Sequence, residues 1–372
     1  MTISSRKIGF LAIPLLVIVI AAISAQLTSA DGKGNPPSQG IDNNSCFACH
    51  ASPDLTTTLP SGETLYLTID KDTFNQSIHG ELGYACVQCH TDITSFPHAE
   101  IPTESLRDLS LELYTSCARC HPDMYESTLD SVHAKALAAG HPEAAVCTDC
   151  HGAHDITSPH EPRSKIPQTC QLCHSEIYKR YEESVHGSAL IGDGNPDVPS
   201  CVDCHGVHDV EGPSSGSFHL FSPQICAECH TDPELMEKYG VSTDVLDTYV
   251  ADFHGTTVKI FEETAPDQET NKPVCVDCHG VHDILPTDDP DSKVIQENLL
   301  TTCQRCHPDA TTNFPNAWLK HYDPSPEKAP MVFFVDLFYD IFIPVMIGGM
   351  LLFVVIDGSR RIINKRKERN HE

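Results

Sequence analysis

The chain has 372 residues, 40% of them hydrophobic, with 27 prolines, 18 cysteines and a formal charge of −28. That balance excludes a nucleic-acid binder and leaves little from which to build a conventional core. The charge is uneven: without residues 1–30 and everything after Pro330, 16 basic residues face 47 acidic ones, about −31 in all. A partner docking on such a body is basic, or its association is salt-sensitive.

The chain opens with Arg6 and Lys7, an apolar run from Ile8 to Ile23, and small residues up to Ala30. Residues 1–30 read as an export signal; the competing reading, an uncleaved anchor, has an apolar run short for a spanning helix. Asp31 to Gly40, with its glycines and prolines, reads as a flexible lead-in.

From Cys46 onward one unit recurs, Cys-x-x-Cys-His. It occurs as Cys46, Cys49 and His50; Cys86, Cys89 and His90; Cys117, Cys120 and His121; Cys147, Cys150 and His151; and Cys170, Cys173 and His174. It continues as Cys201, Cys204 and His205; Cys226, Cys229 and His230; Cys275, Cys278 and His279; and Cys303, Cys306 and His307. Nine copies use all 18 cysteines, so none is left for a disulfide, a free thiol or an iron–sulfur cluster. The spacing is that of c-type haem attachment: two thiols add across the porphyrin vinyl groups and the adjacent histidine supplies a proximal imidazole to the iron. A string of zinc knuckles would also use Cys-x-x-Cys, but needs no histidine directly after the second thiol in every copy. The expected cofactor is haem c, nine copies, covalently attached. Their apolar mass would organise short helices and loops that could not fold alone.

After the isolated first motif the chain repeats with two haem sites per copy. Each copy begins with a histidine in a short helix-like setting: Ser77-Ile-His79-Gly, Ser131-Val-His133-Ala, Ser184-Val-His186-Gly and Asp252-Phe-His254-Gly. A motif, a further histidine, a proline-containing loop and a second motif follow. In three copies the first motif continues as Cys-His-Gly-x-His-Asp, at His151/His154, His205/His208 and His279/His282. The first copy departs from this, and His98, on a longer loop, is the residue positioned for the same role. The last copy carries an insertion in which Asp232 to Ala251 looks helical and Glu262 to Pro273 looks like an acidic loop. Residues 31–330 thus read as an extracytoplasmic nonahaem domain, one haem plus four pairs.

Haem iron has two axial positions. Only Met124 and Met236 among six methionines lie in the exported body, so histidine is the expected second ligand. The candidates are His79, His98, His133, His154, His186, His208, His254, His282 and, in Lys320-His-Tyr, His321. A proximal histidine and the residue three places on lie on one side of one porphyrin, so His154, His208 and His282 are expected to serve a neighbouring iron. His141, His160 and His219 have no repeated context and read as loop residues, although any could replace His98 or His321. His371 lies in the C-terminal tail.

From Met331 to Ile356 the chain is apolar for long enough to span a bilayer, and Arg360, Arg361, Lys365, Arg366, Lys367 and Arg369 follow. Residues 331–357 read as one transmembrane helix and 358–372 as a basic cytoplasmic tail, with the haem domain on the periplasmic or outer side. Asp336 and Asp340, one helical turn apart, are expected near the outer surface. A buried core helix is the alternative. Pro344, Gly348 and Gly349 would let the helix pack closely against another.

Residues 46 to 321 resemble the multihaem c-type cytochromes, especially membrane-anchored and octahaem-like members whose doubled motifs carry bis-histidine haems. The resemblance implies a mostly α chain with extensive loops and little regular structure, wrapped round stacked haems, and here followed by one C-terminal transmembrane helix. It implies electron relay between a membrane quinone-linked redox partner, of which a cytochrome b is one form, and extracytoplasmic redox proteins. The alternative is a reductase or oxidase of a small nitrogen or sulfur compound, which needs one iron with an open position. No motif carries the lysine that marks some such enzymes, and no catalytic residue is assigned.

Overall fold

The computed structural model describes residues 42–212, 216–266, 268, 271–316, 321, 324–327 and 329–369. The expected signal, the lead-in and His371 lie outside them. Two compact units are present, one built on the chain up to Ser116 together with Ala153–Ile156, the other on Cys117–Gly152 and the chain from Thr157 onward. The architecture is short helices joined by loops, as expected. Among the described residues the β-structure is one antiparallel ribbon, Thr56–Thr58 against Thr64–Tyr66, with Thr57 opposite Leu65.

The short helices begin where the sequence supplies a cap. Ser77, Ser131 and Ser184 are almost fully buried, and each hydroxyl accepts the backbone N–H three residues on, of Gly80, Ala134 and Gly187, at 3.1 Å. Asp252 accepts from the His254 N–H at 2.6 Å in the fourth copy. The S-x-H pattern is therefore a helix start with the histidine on the first turn. The same hydroxyls close the preceding helix: Ser77 and Ser184 donate to the Phe74 and Tyr181 carbonyls, both at 2.7 Å. Two helices thus meet at one serine, so close that a Cβ at Gly187 would stand 1.8 Å from the Tyr181 carbonyl oxygen.

The inserted stretch differs from the single helix its composition suggests. Asp232 caps a first turn, Pro233–Met236, and Gly240 turns left-handed at φ 65°, so the chain restarts at Val245–Ala251. The next helix, Phe253–Thr264, runs into the segment expected as an acidic loop. Tyr249, Val258, Val274 and Leu220 form a small apolar cluster there.

The last helix, Pro330–Arg369, has 40 residues. At 1.5 Å per residue it is about 60 Å long, roughly twice a bilayer's hydrocarbon core. Its stretch Pro330–Arg366 holds an apolar window, of mean hydropathy 2.3, long enough to cross a membrane, and that window is wholly exposed, unlike a core helix. The helix runs without a break through the basic residues, where Arg361 pairs with Asp357 at 2.8 Å.

Candidate functional site: paired histidines along a file of cysteines

The nine motifs fall into two alternating structural classes. Those at Cys46, Cys117, Cys170, Cys226 and Cys303 sit in the last turn of a helix that precedes them. Those at Cys86, Cys147, Cys201 and Cys275 open a one-turn helix of their own. In the opening class the third motif residue caps that turn. Gln88, Asp149, Asp203 and Asp277 accept the N–H of the residue before the first cysteine at 2.6, 2.7, 2.6 and 2.8 Å. In both classes the proximal histidine N–H can reach the first cysteine carbonyl, as at His90, His121, His174 and His307, all 2.9 Å. Both thiols and the imidazole therefore issue from one helical turn.

Each opening motif of the Cys-His-Gly-x-His type ends at a glycine only glycine can be. Gly152, Gly206 and Gly280 have φ of 74°, 81° and 91° with extended ψ. A Cβ on Gly206 would also come within 2.8 Å of the Asp209 carboxylate. This sharp turn carries the second histidine away from its own proximal partner.

The histidines come together in twos. Within the smaller unit His50 faces His98 at 6.0 Å between ring centroids and His90 faces His154 at 6.0 Å. In the larger unit the pairs are His133 and His174 at 6.3 Å, His151 and His208 at 6.1 Å, and His186 and His230 at 6.3 Å. His205 and His282 lie 5.9 Å apart, His254 and His307 6.2 Å, and His279 and His321 6.1 Å. His208 thus faces His151 and not His205, three residues before it. A regular rule emerges: His133, His186 and His254, each on the first turn of a capped helix, meet motifs of the class that closes a helix, and the second histidine of each later opening motif meets an earlier opening motif. His98 and His321 serve the two ends of that series. His79 lies edge-on to Tyr84 at 5.5 Å, and His121 stands at the N-cap position of the Pro122–Thr128 helix.

These pairs fit haem iron. Imidazole nitrogens bind a first-row transition metal at about 2.0–2.1 Å, so two rings facing each other across one ion have centroids about 6 Å apart. Direct ring stacking would be much closer. No group of three or more His, Cys, Asp or Glu suited to a metal occurs among the described residues, whereas a zinc knuckle needs four protein ligands. Two imidazoles are what a porphyrin leaves open. The Nδ1 of His50 lies 2.8 Å from the Leu67 carbonyl and that of His205 2.9 Å from the Glu211 carbonyl, so Nε2 is the atom that would hold an iron. Beside the pairs Leu172, Phe253 and Val207 are 78%, 83% and 61% exposed, apolar surface that a porphyrin face would cover.

Burial keeps the imidazoles neutral, with a lone pair for a metal. It lowers the pKa of His90, His133, His151, His154, His230, His282 and His321, and takes His186 and His279 down to about 4. The thiols form a file of neighbours. Cys117 hydrogen-bonds Cys147, Cys170 hydrogen-bonds Cys201, and Cys226 hydrogen-bonds Cys275, which lowers Cys147 and Cys170 to about 7. Between these contacts the charges of Cys170 and Cys173 reach Cys150, those of Cys226 and Cys229 reach Cys204, and those of Cys303 and Cys306 reach Cys278; burial is the main cause that lifts these three thiols to about 11. In the smaller unit Cys46 and Cys86 are likewise in contact. The hydrogen-bonded thiol pairs join the end of one copy to the start of the next, and the other neighbours belong to one copy.

Residues 78–175, which hold four of the motifs, match the family model of cytochrome c3. The chain is a multihaem c-type cytochrome. It is an electron-transfer protein carrying haem c, with one candidate membrane-spanning helix at its C-terminus. No curated protein matches the cytochrome.

Several features of the cytochrome were missed in its sequence. The residue before each S-x-H histidine donates its N–H to the residue two places after a later second histidine: Ile78 to Ile156 at 2.8 Å, Val132 to Val210 at 2.9 Å, Val185 to Ile284 at 2.8 Å. Arg163 and His219, each seven residues before a closing-class cysteine, pair with the capping Asp203 and Asp277, His219 at 3.0 Å. That shared register could have removed His219 from the spare loop histidines. His141 is an exposed partner of Glu143 at 3.2 Å, and His160 is exposed.

Proposed function

We propose that the protein is a nine-haem relay, every iron held between two histidines, that carries electrons between a quinone-linked membrane partner and redox proteins outside the membrane. The observation that carries this reading is the set of eight within-unit histidine pairs, all 5.9–6.3 Å apart. When bound, haem supplies reversible one-electron chemistry, and two imidazoles per iron favour a low potential with little rearrangement. The chain contributes spacing. In the larger unit neighbouring cysteines link consecutive motifs from Cys117 to Cys306, so the attachment edges of successive porphyrins would adjoin without a gap.

The membrane end of this relay is assigned to His279 and His321. His321 precedes Pro330 by nine residues, a reach of at most about 30 Å at roughly 3.3 Å per residue, and Pro324 and Pro326 stiffen that link. A basic tail after the apolar helix supports a cytoplasmic C-terminus and a haem domain outside. Proteoliposomes holding the protein, a quinol and an impermeant external acceptor test the reading. Quinol-dependent reduction of all haems in the presence of the membrane partner is expected, and His321→Ala should slow it while reduction by dithionite stays complete. Equal rates in both proteins would remove His321 from the port.

A further inference from the structure

We infer that His98 is a releasable ligand, and that the haem attached through Cys46 and Cys49 is a binding site for a neutral diatomic ligand of ferrous iron. The inference rests on the bis-histidine reading above and names the one site where it should break. Among the nine second-ligand candidates His98 alone is exposed; the others are partly buried. Its neighbours from Ser95 to Glu100 are exposed as well.

The contrast lies in what holds each loop. His154, His208 and His282 follow a glycine with φ of 74° to 91°, and two residues later the Ile156, Val210 and Ile284 carbonyls each accept a backbone N–H from a distant S-x-H helix. The S-x-H histidines sit on capped helices. His98 has neither device: no glycine follows His90, and its Nδ1 contacts only the carbonyl of its own neighbour Ala99, at 2.7 Å. Among the described residues, no backbone hydrogen bond ties residues 94–100 to another segment. The opposite ring is different, since His50 leans on the Leu67 carbonyl at 2.8 Å and its helix is pinned to the second motif by Asn43, whose amide oxygen accepts the Cys86 N–H at 2.8 Å. One side of this iron is built and the other is held by the imidazole alone.

A ligand that leaves part of the time lets an external molecule in, with an affinity reduced by the fraction of time the position is open. For a minor state populated at about 1–10%, removal of the imidazole should tighten external binding by about 10- to 100-fold.

The test uses the full-length holoprotein, reduced and titrated with carbon monoxide, with bound ligand counted from the Soret change and haems counted by intact mass. One carbon monoxide per protein is expected. His98→Ala should bind the same single equivalent about 10- to 100-fold more tightly, and the double variant Cys46→Ala/Cys49→Ala, one haem lighter, should bind none. His208→Ala, on a tethered loop, should gain a second equivalent. A wild-type protein with its full haem count that takes up no carbon monoxide overturns the inference and leaves the relay reading intact. Uptake that survives in the double variant overturns it too, since the site is then elsewhere. A wild-type mass without the Cys46 haem defeats the nine-haem reading and this site together.

Discussion

Val185 donates its backbone N–H to the Ile284 carbonyl at 2.8 Å, across a full repeat and an insertion. One side of this bond is next to His186, which faces His230, and the other is two residues past His282, which faces His205. A single backbone contact therefore sets two histidines in two different pairs, and the same bond recurs at Val132 and Ile78. The repeats are interlocked, a histidine of one facing a histidine of another.

The serine before each such histidine should be costly to lose. Ser184→Ala removes the cap on Gly187 and the bond to the Tyr181 carbonyl, a loss of about 1–2 kcal/mol that thermal unfolding of the holoprotein will read. The oxidised spectrum should show weakened ligation at one haem, that of His230.

Glycine at the helix crossing is a steric requirement in some copies. Gly187→Ala meets the Tyr181 carbonyl oxygen at 1.8 Å and should destabilise by about 1–3 kcal/mol. The second copy already carries alanine at the matching position, Ala134, so Ala134→Gly should cost only about 0.5–1 kcal/mol. Equal melting shifts for the two variants would contradict this reading of the crossing.

Gly206 provides a sharper case because both backbone and space exclude a side chain. With φ at 81° and Asp209 beside it, Gly206→Ala should strain the turn by about 1–3 kcal/mol and pull His208 from His151. The haem affected should be the one bound through Cys147 and Cys150, which tryptic haem-peptide mapping of a labile site can identify.

Attachment sites were legible because covalent chemistry imposes a fixed spacing on Cys and His, wherever the chain goes. The second histidines were legible as residues, since Ser-x-His-Gly and Cys-His-Gly-x-His-Asp recur, and the three-residue spacing already parted His208 from His205. Their partners were not legible. Which imidazole meets His151 depends on the Val132–Val210 bond, a backbone contact between residues whose side chains carry no signal. The alternation of opening and closing motifs was hidden for a related reason. It rests on Asp149, Asp203, Asp277 and Gln88 acting as caps, and at the level of the motif those are merely the variable positions.

Ligand planes should divide the low-spin signals into two groups. Pairs built from the loop histidines lie nearer parallel, at 2° for His50 and His98, 17° for His90 and His154, 20° for His205 and His282, 23° for His279 and His321 and 32° for His151 and His208. Pairs built from the S-x-H helices and the helix capped by Asp252 are tilted further, at 39° for His254 and His307, 44° for His133 and His174 and 59° for His186 and His230. Electron paramagnetic resonance of the oxidised protein should resolve a near-parallel class and a strongly tilted class; one uniform signal would contradict the difference.

The central claim, nine haems each held by two histidines, is tested most directly by one paired measurement on the mature oxidised protein: intact mass with quantified spin state. The account predicts a mass of the processed chain plus nine haems and a spectrum that is low-spin throughout. A smaller haem count, or a high-spin signal equal to one whole haem or more, would contradict it.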